Sequence, residues 1–172
     1  TALIGYLLKP GDHVLLPDDA YGGTFRFFAR VLAEQGVDWS AVDMTDRRLL
    51  ETGVRPETKL IWVETPTNPL LRIVDLGHAS RVARAADALL VVDNTFTPLV
   101  FSPARLGADV VVYSMTKFIN GSSDMVAGCI CGTKELVDKL TDVTCGATML
   151  LGPVLETRRS DERPLPVRLF DS

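Results

Sequence analysis

The sequence predicts an α/β domain built on a largely parallel central sheet, and three observations predict it. Short, near-continuous apolar runs recur along the chain, as in strands covered on both faces. Segments with helical spacing alternate with them, the order that strand–helix–strand units require. Polar and reactive residues follow directly on several of the runs, where such sheets bind their ligands.

The elements follow in order. After a helix-like opening, Lys9-Pro10-Gly11-Asp12 makes a turn into a strand at 13–16. Residues 21–35 read as a helix closed by Gly36. A strand is expected at 37–42 and a stronger one at 60–64. Leu76, Ala79, Val82, Ala83 and Ala86 share one helical face. Residues 88–93 form a continuous apolar strand ending in an acid, and 103–106 a short helical turn. Strands are expected at 109–113 and 125–131, and a helix at 133–140. From residue 156 the chain becomes rich in Arg, Asp and Glu, without a clear element.

Composition narrows the function. The 172 residues are 47% hydrophobic and 23% charged, ordinary for a globular domain, with a net charge of −4. No basic stripe suggests nucleic acid or an anionic membrane. No apolar run reaches membrane-spanning length. No secretory leader is evident, and the absent initiator Met points to a piece of a longer chain. Three cysteines, Cys129, Cys131 and Cys145, are too few and too odd for a disulfide framework, so a reducing compartment, the cytoplasm, is expected. Cys129 and Cys131 lack a second pair at zinc spacing and read as buried thiols, so no metal is expected.

The chemistry gathers past the strand ends. After 60–63 come Glu64 to Pro69; after 88–92 come Asp93, Asn94 and Thr95; after 109–113 come Ser114 to Lys117. Parallel strands joined by right-handed crossovers bring all three to one edge. A lysine there can form a Schiff base with a carbonyl, and an aspartate at the next strand end can hold a protonated ring nitrogen. Ser114 and Thr116, two apart in an extended segment, would face one way and suit a phosphate. Tyr21, followed by Gly22 and Gly23, could stack on a planar ring. Blander readings stay open for each: Asp93 as a cap on its turn, Tyr21 as packing, Asn68 as a turn signal. No GxxxxGK precedes Lys117, which excludes a P-loop. His13 lies in a strand and His78 on a helix surface, neither beside a Ser or Cys nucleophile.

Four motifs, in order and in register, carry a resemblance: Tyr21-Gly22-Gly23-Thr24, Glu64-Thr65-Pro66-Thr67-Asn68-Pro69, Val92-Asp93-Asn94-Thr95-Phe96 and Ser114-Met115-Thr116-Lys117-Phe118. Over roughly residues 1–153 the chain resembles the Cys/Met-metabolism enzymes dependent on pyridoxal 5′-phosphate (PLP). These are the trans-sulfuration enzymes: cystathionine γ-synthase, cystathionine γ-lyase, methionine γ-lyase and the homoserine sulfhydrylases.

The resemblance implies an aminotransferase type I-like large domain, with 1–153 as its central part and 154–172 as a divergent, irregular tail. It implies Lys117 as the Schiff-base and proton-shuttling residue, and Asp93 at the ring nitrogen. Tyr21 would stack on the ring and aid proton transfer; Ser114 and Thr116 would bind the phosphate. Asn68 would approach the phenolic oxygen, and Thr95 would lie close to the ring. A small amino-acid substrate and a homotetramer with shared active sites are implied as well. Residues 18–26 and the Thr-Asn-Pro loop are most similar to cystathionine γ-synthases. Residues 96–124, with 146–153, are more similar to plant-type methionine γ-lyases. Ser122 and Met115 depart from the family pattern, which leaves the choice between C–S elimination and γ-replacement open. The family's phosphate loop would precede Thr1 and its substrate-binding Arg would follow the chain. The alternative to an enzyme is therefore a non-catalytic fragment lacking those parts.

Overall fold

The computed structural model describes residues 2–145. Six strands form one sheet: β1 (His13–Pro17), β2 (Asp38–Val42), β3 (Thr58–Glu64), β4 (Leu89–Asp93), β5 (Val110–Ser114) and β6 (Gly128–Cys131). Their order is β2-β1-β3-β4-β5-β6. The first five run parallel and β6 runs antiparallel to β5. The helices are α1 (Ala2–Leu7), α2 (Gly22–Phe27), α3 (Arg47–Gly53), α4 (Leu76–Ala85) and α5 (Lys134–Cys145).

Strand side chains alternate between faces, and that alternation splits the core into two layers. Val14, Leu16, Leu60, Trp62, Val91 and Val110 pack with Leu3 and Ile4 of α1, Phe28 and Leu32 beyond α2, and Leu140 of α5. Leu15, Ile61, Val63, Leu90 and Val92 pack on the opposite face with Leu50 of α3 and Leu76, Ala79 and Ala83 of α4. The helical face read from the sequence is the one α4 buries. Its first turn is capped by Asp75, which accepts the His78 N–H. Gly107 sits at φ 100°, and a Cβ there would lie 2.2 Å from Ser80 Oγ, so only glycine lets this turn close on α4.

Four expectations change. The helix expected at 21–35 is α-helical only over Gly22–Phe27, widens to π-helix over Phe28–Leu32 and ends in turns before Gly36. The strand expected from 125 begins at Gly128. Its last rung is Ser114↔Gly128, because β5 turns into a helical segment at Met115 and offers no partner beyond. α3 is additional; its signal is Asp46, whose side chain accepts the N–H groups of Arg48 and Leu49. His78 is not on the surface. It is buried, with Nε2 3.3 Å from Glu51 Oε1, because α4 packs against α3 on that side.

Cys129 and Cys131 are buried thiols not joined in a disulfide, as expected, with Sγ atoms 3.7 Å apart. The neighbouring Cys129 thiol and burial together push the Cys131 thiol well above its ordinary range. Among the described residues no group of three or more potential metal ligands gathers, and no helix is long and apolar enough to cross a membrane. The side chain of Cys145, the boundary at 153/154 and the tail lie outside the described residues.

Candidate functional site

Period-two alternation carries the core-facing pattern of three strands straight into polar residues. Leu60 and Trp62 lead to Glu64, Val91 leads to Asp93, and Val110 and Val112 lead to Ser114. All three polar residues therefore leave the sheet on the face covered by α1 and α2, at its carboxyl edge. Glu64 and Asp93 are direct register partners, and Asp93 pairs with Val112, two residues before Ser114.

Two acids so placed are electrostatically uncomfortable. Glu64 is only 4% exposed. Burial pushes its carboxyl up to about 7, with Asp93 adding to the rise. Three donors oppose it: the Tyr21 N–H to Oε2 at 2.8 Å, the Trp62 indole N–H to Oε1 at 3.2 Å, and the Thr24 hydroxyl. Burial also holds the Asp93 carboxyl above the usual carboxylate range, partly offset by hydrogen bonds from Thr95. One of these is the Thr95 N–H to Asp93 Oδ1 at 2.9 Å, so Asp93 does cap the turn after its strand. Thr95 Oγ1 in turn accepts the Ser114 N–H at 2.8 Å, tying the ends of β4 and β5 together.

The remaining walls come from loops. Tyr21 stands at the N-cap of α2 and is 49% exposed. A Cβ on Gly23 would lie 2.4 Å from its ring carbon Cε1, so the ring needs glycine there to fold back as it does. The loop carrying Asn68 is anchored by its neighbour Thr67, whose hydroxyl donates to Asp19 and accepts the Arg72 N–H. Arg72 also pairs with Asp18 at 3.0 Å. Lys117 interrupts a helical turn spanning Met115–Ile119, with non-helical φ −97° and ψ −121°.

All seven candidates, Tyr21, Asn68, Asp93, Thr95, Ser114, Thr116 and Lys117, line one cavity of about 1070 Å³. That is ample for a cofactor-sized ligand. One expectation within it fails. Ser114 and Thr116 do not share an extended segment, because the chain turns helical between them. The Thr116 hydroxyl instead sits between the N–H (3.1 Å) and carbonyl (3.3 Å) of Ala127. Glu64, Trp62 and Thr24 also line the cavity and were not singled out from the sequence. For Glu64 the signal was present: it continues the alternation of Leu60 and Trp62 into the edge where Asp93 ends.

The donor set fits a planar, anionic, carbonyl-bearing ligand. A half-buried carboxylate suits a ring cation, an amine suits a carbonyl, hydroxyls suit phosphate oxygens, and an aromatic ring suits a flat face. Comparison with known proteins points the same way. A family model described as Cys/Met metabolism PLP-dependent enzyme matches residues 1–159. The chain is 45% identical over 149 residues to a probable cystathionine γ-synthase of Herpetosiphon aurantiacus, covering 86% of this chain and 47% of that one. It is 46% identical over 149 residues to the cystathionine γ-lyase of Bacillus subtilis, covering 86% and 39%. The crystal structure of metB from Corynebacterium glutamicum superposes with a TM-score of 0.83 at 40% identity, over 87% of this chain and 39% of that one. The chain thus spans less than half the length of these relatives.

Proposed function

The chain belongs to the Cys/Met metabolism PLP-dependent enzyme family, and on that premise we propose that its cavity carries the cofactor for C–S bond elimination or γ-replacement on small sulfur amino acids of the cystathionine, homocysteine or methionine type. The observation that carries the proposal is the meeting of an amine, a half-buried acid, hydroxyls and an aromatic ring in one cavity. When bound, PLP supplies an electron sink for negative charge developing on the substrate carbons.

The chain's own residues would do the rest. Lys117 Nζ would attach the cofactor and move protons between substrate carbons. Asp93, half-buried and fixed by Thr95, would hold a proton on the ring nitrogen. Tyr21 would cover the ring and pass a proton near the leaving group. Asn68 would approach the phenolic oxygen, with Thr95 beside the ring. Ser114 would bind the phosphate, joined by Thr116 once its hydroxyl turns from Ala127. Related proteins named cystathionine γ-synthase and γ-lyase support both reaction types.

A homo-oligomer, tetrameric in the whole protein, is part of the proposal. Leu70, Leu71, Ile73, Leu99 and Val100 are exposed on the loops after β3 and β4, and apolar surface of this kind favours a subunit contact. A cytoplasmic setting accords with Cys129 and Cys131 remaining thiols 3.7 Å apart.

The experiment is to load the protein with PLP, remove the excess and record the visible spectrum beside Lys117→Ala. A retained band lost in the variant supports the proposal, and release of 2-oxo acid and thiol then identifies the reaction. Equal spectra would sink the Lys117 assignment. A retained band without turnover favours the second reading, a cofactor-binding fragment that is not itself catalytic.

A further inference from the structure

Tyr21 is held by little of its own. α2 opens on Gly22 and Gly23, has no buried residue, and its N-cap makes no side-chain cap bond. A segment this short and glycine-rich does not fix an aromatic ring by local packing. What ties it to the sheet is the Tyr21 N–H bond to Glu64 Oε2 at 2.8 Å. The other oxygen of that carboxylate is occupied by the Trp62 indole, whose ring packs edge-on against Phe28 at 6.3 Å. Glu64 is thus rigid on its own side and has one oxygen for the start of α2.

We propose that Glu64 is a positioning residue of this site: its buried carboxylate pins the start of α2 to the end of β3 and so sets where the Tyr21 ring stands over the cavity. The proposal rests on the reading of Tyr21 given above. The carboxylate form suits the task because it only accepts, and the three groups hydrogen-bonded to it, the Tyr21 N–H, the Trp62 indole N–H and the Thr24 hydroxyl, are donors. Protonation puts a hydrogen on one oxygen and weakens the hold on Tyr21 or on Trp62. With the carboxyl titrating near 7, the grip strengthens as pH rises through neutrality. The groups facing Glu64 are Asp93 from β4, the Tyr21 N–H and Thr24 hydroxyl from the α2 region, and Trp62 on its own strand. Of these Asp93 is the charged one.

The test begins without cofactor. The chain has three tyrosines, so ¹⁵N-tyrosine labelling gives a readable amide spectrum, and Tyr21→Phe assigns the residue. The Tyr21 amide shift should titrate with a midpoint near 7. Glu64→Gln should abolish the titration, and Asp93→Asn should lower its midpoint. A Tyr21 amide indifferent to pH and to Glu64→Gln overturns the proposal. In the PLP-loaded protein, Glu64→Ala and Tyr21→Ala should each weaken cofactor affinity about tenfold, and the double variant should be no weaker than Tyr21→Ala alone. Losses that multiply would overturn it. Failure of the reading beneath looks different: the amide still titrates with Glu64, which upholds the pin, but Tyr21→Ala leaves affinity and the visible dichroism of the cofactor unchanged.

Discussion

The two edges of the sheet each bury ionisable side chains, and they treat them in opposite ways. At the amino edge of β1, His13 is 1% exposed, with Nδ1 2.8 Å from Thr58 Oγ1 and Nε2 2.9 Å from Ser40 Oγ. Both ring nitrogens are satisfied by neutral hydroxyls, and burial, aided by Arg55, lowers the pKa so that the ring stays neutral. At the carboxyl edge, Glu64 and Asp93 stand side by side, acid against acid, facing a cavity. Burial pushes both pKa values up. Burial alone therefore does not mark a site. An edge whose buried groups are satisfied by neutral partners stabilises the fold. An edge that gathers like charges around open space awaits a ligand.

Asp93→Asn should have the largest effect. Turnover by the full protein should fall by roughly 100-fold or more, while denaturant stability at neutral pH should hold or rise, because a half-buried charge beside Glu64 disappears. A loss of stability with activity retained would make Asp93 merely a turn cap. The converse variant, His13→Ala, should lower stability by about 2–4 kcal/mol, since it opens a cavity and strands two hydroxyls. It should leave the visible cofactor band untouched.

Opposite pH slopes come next. Glu64 has a folded pKa of about 7 against an ordinary 4.5. Between those values the folded state binds the extra proton, so this group's contribution is complete below about 4.5 and lost as pH rises to about 7. Glu64→Gln should therefore gain on the wild type between pH 5 and 8, by on the order of 2 kcal/mol. His13 runs the other way. Its folded pKa lies below 6.5, so its contribution is present above 6.5 and lost as pH falls through the folded value. Chemical denaturation at several pH values reads both slopes. The smallest effect belongs to Arg55, which pairs with Asp38 at 2.5 Å on an exposed surface. Arg55→Ala should cost below about 1 kcal/mol, and NMR titration should find the His13 pKa raised.

Much of this was legible in the sequence, for definite reasons. Strands such as 60–64 and 88–93 declare themselves by unbroken apolar runs, and parallel pairing follows from the helices between them. The polar residues past those runs could be gathered to one edge by topology alone. Relations between chains of contacts were not legible. Nothing local says that Glu64 sits opposite Asp93, because register depends on where each strand starts. Nor does local pattern reveal that Ser114 ends a strand while Thr116 lies in a turn, or that His78 faces α3 rather than solvent. α3 escaped because a seven-residue helix gives barely two turns of periodicity, although Asp46 announces its start.

The shared parity of Glu64, Asp93 and Ser114 makes this half of the molecule tolerant and brittle in different currencies. Substitutions along β3, β4 and β5 perturb packing one residue at a time. A single deletion inside Leu89–Asp93 would instead rotate every later side chain of that strand to the other layer, sending Asp93 toward α4. The loops after the strand ends keep no such count. Loop length can therefore vary around Tyr21, Asn68 and Lys117, while the strand lengths beneath act as a frozen reading frame in three dimensions.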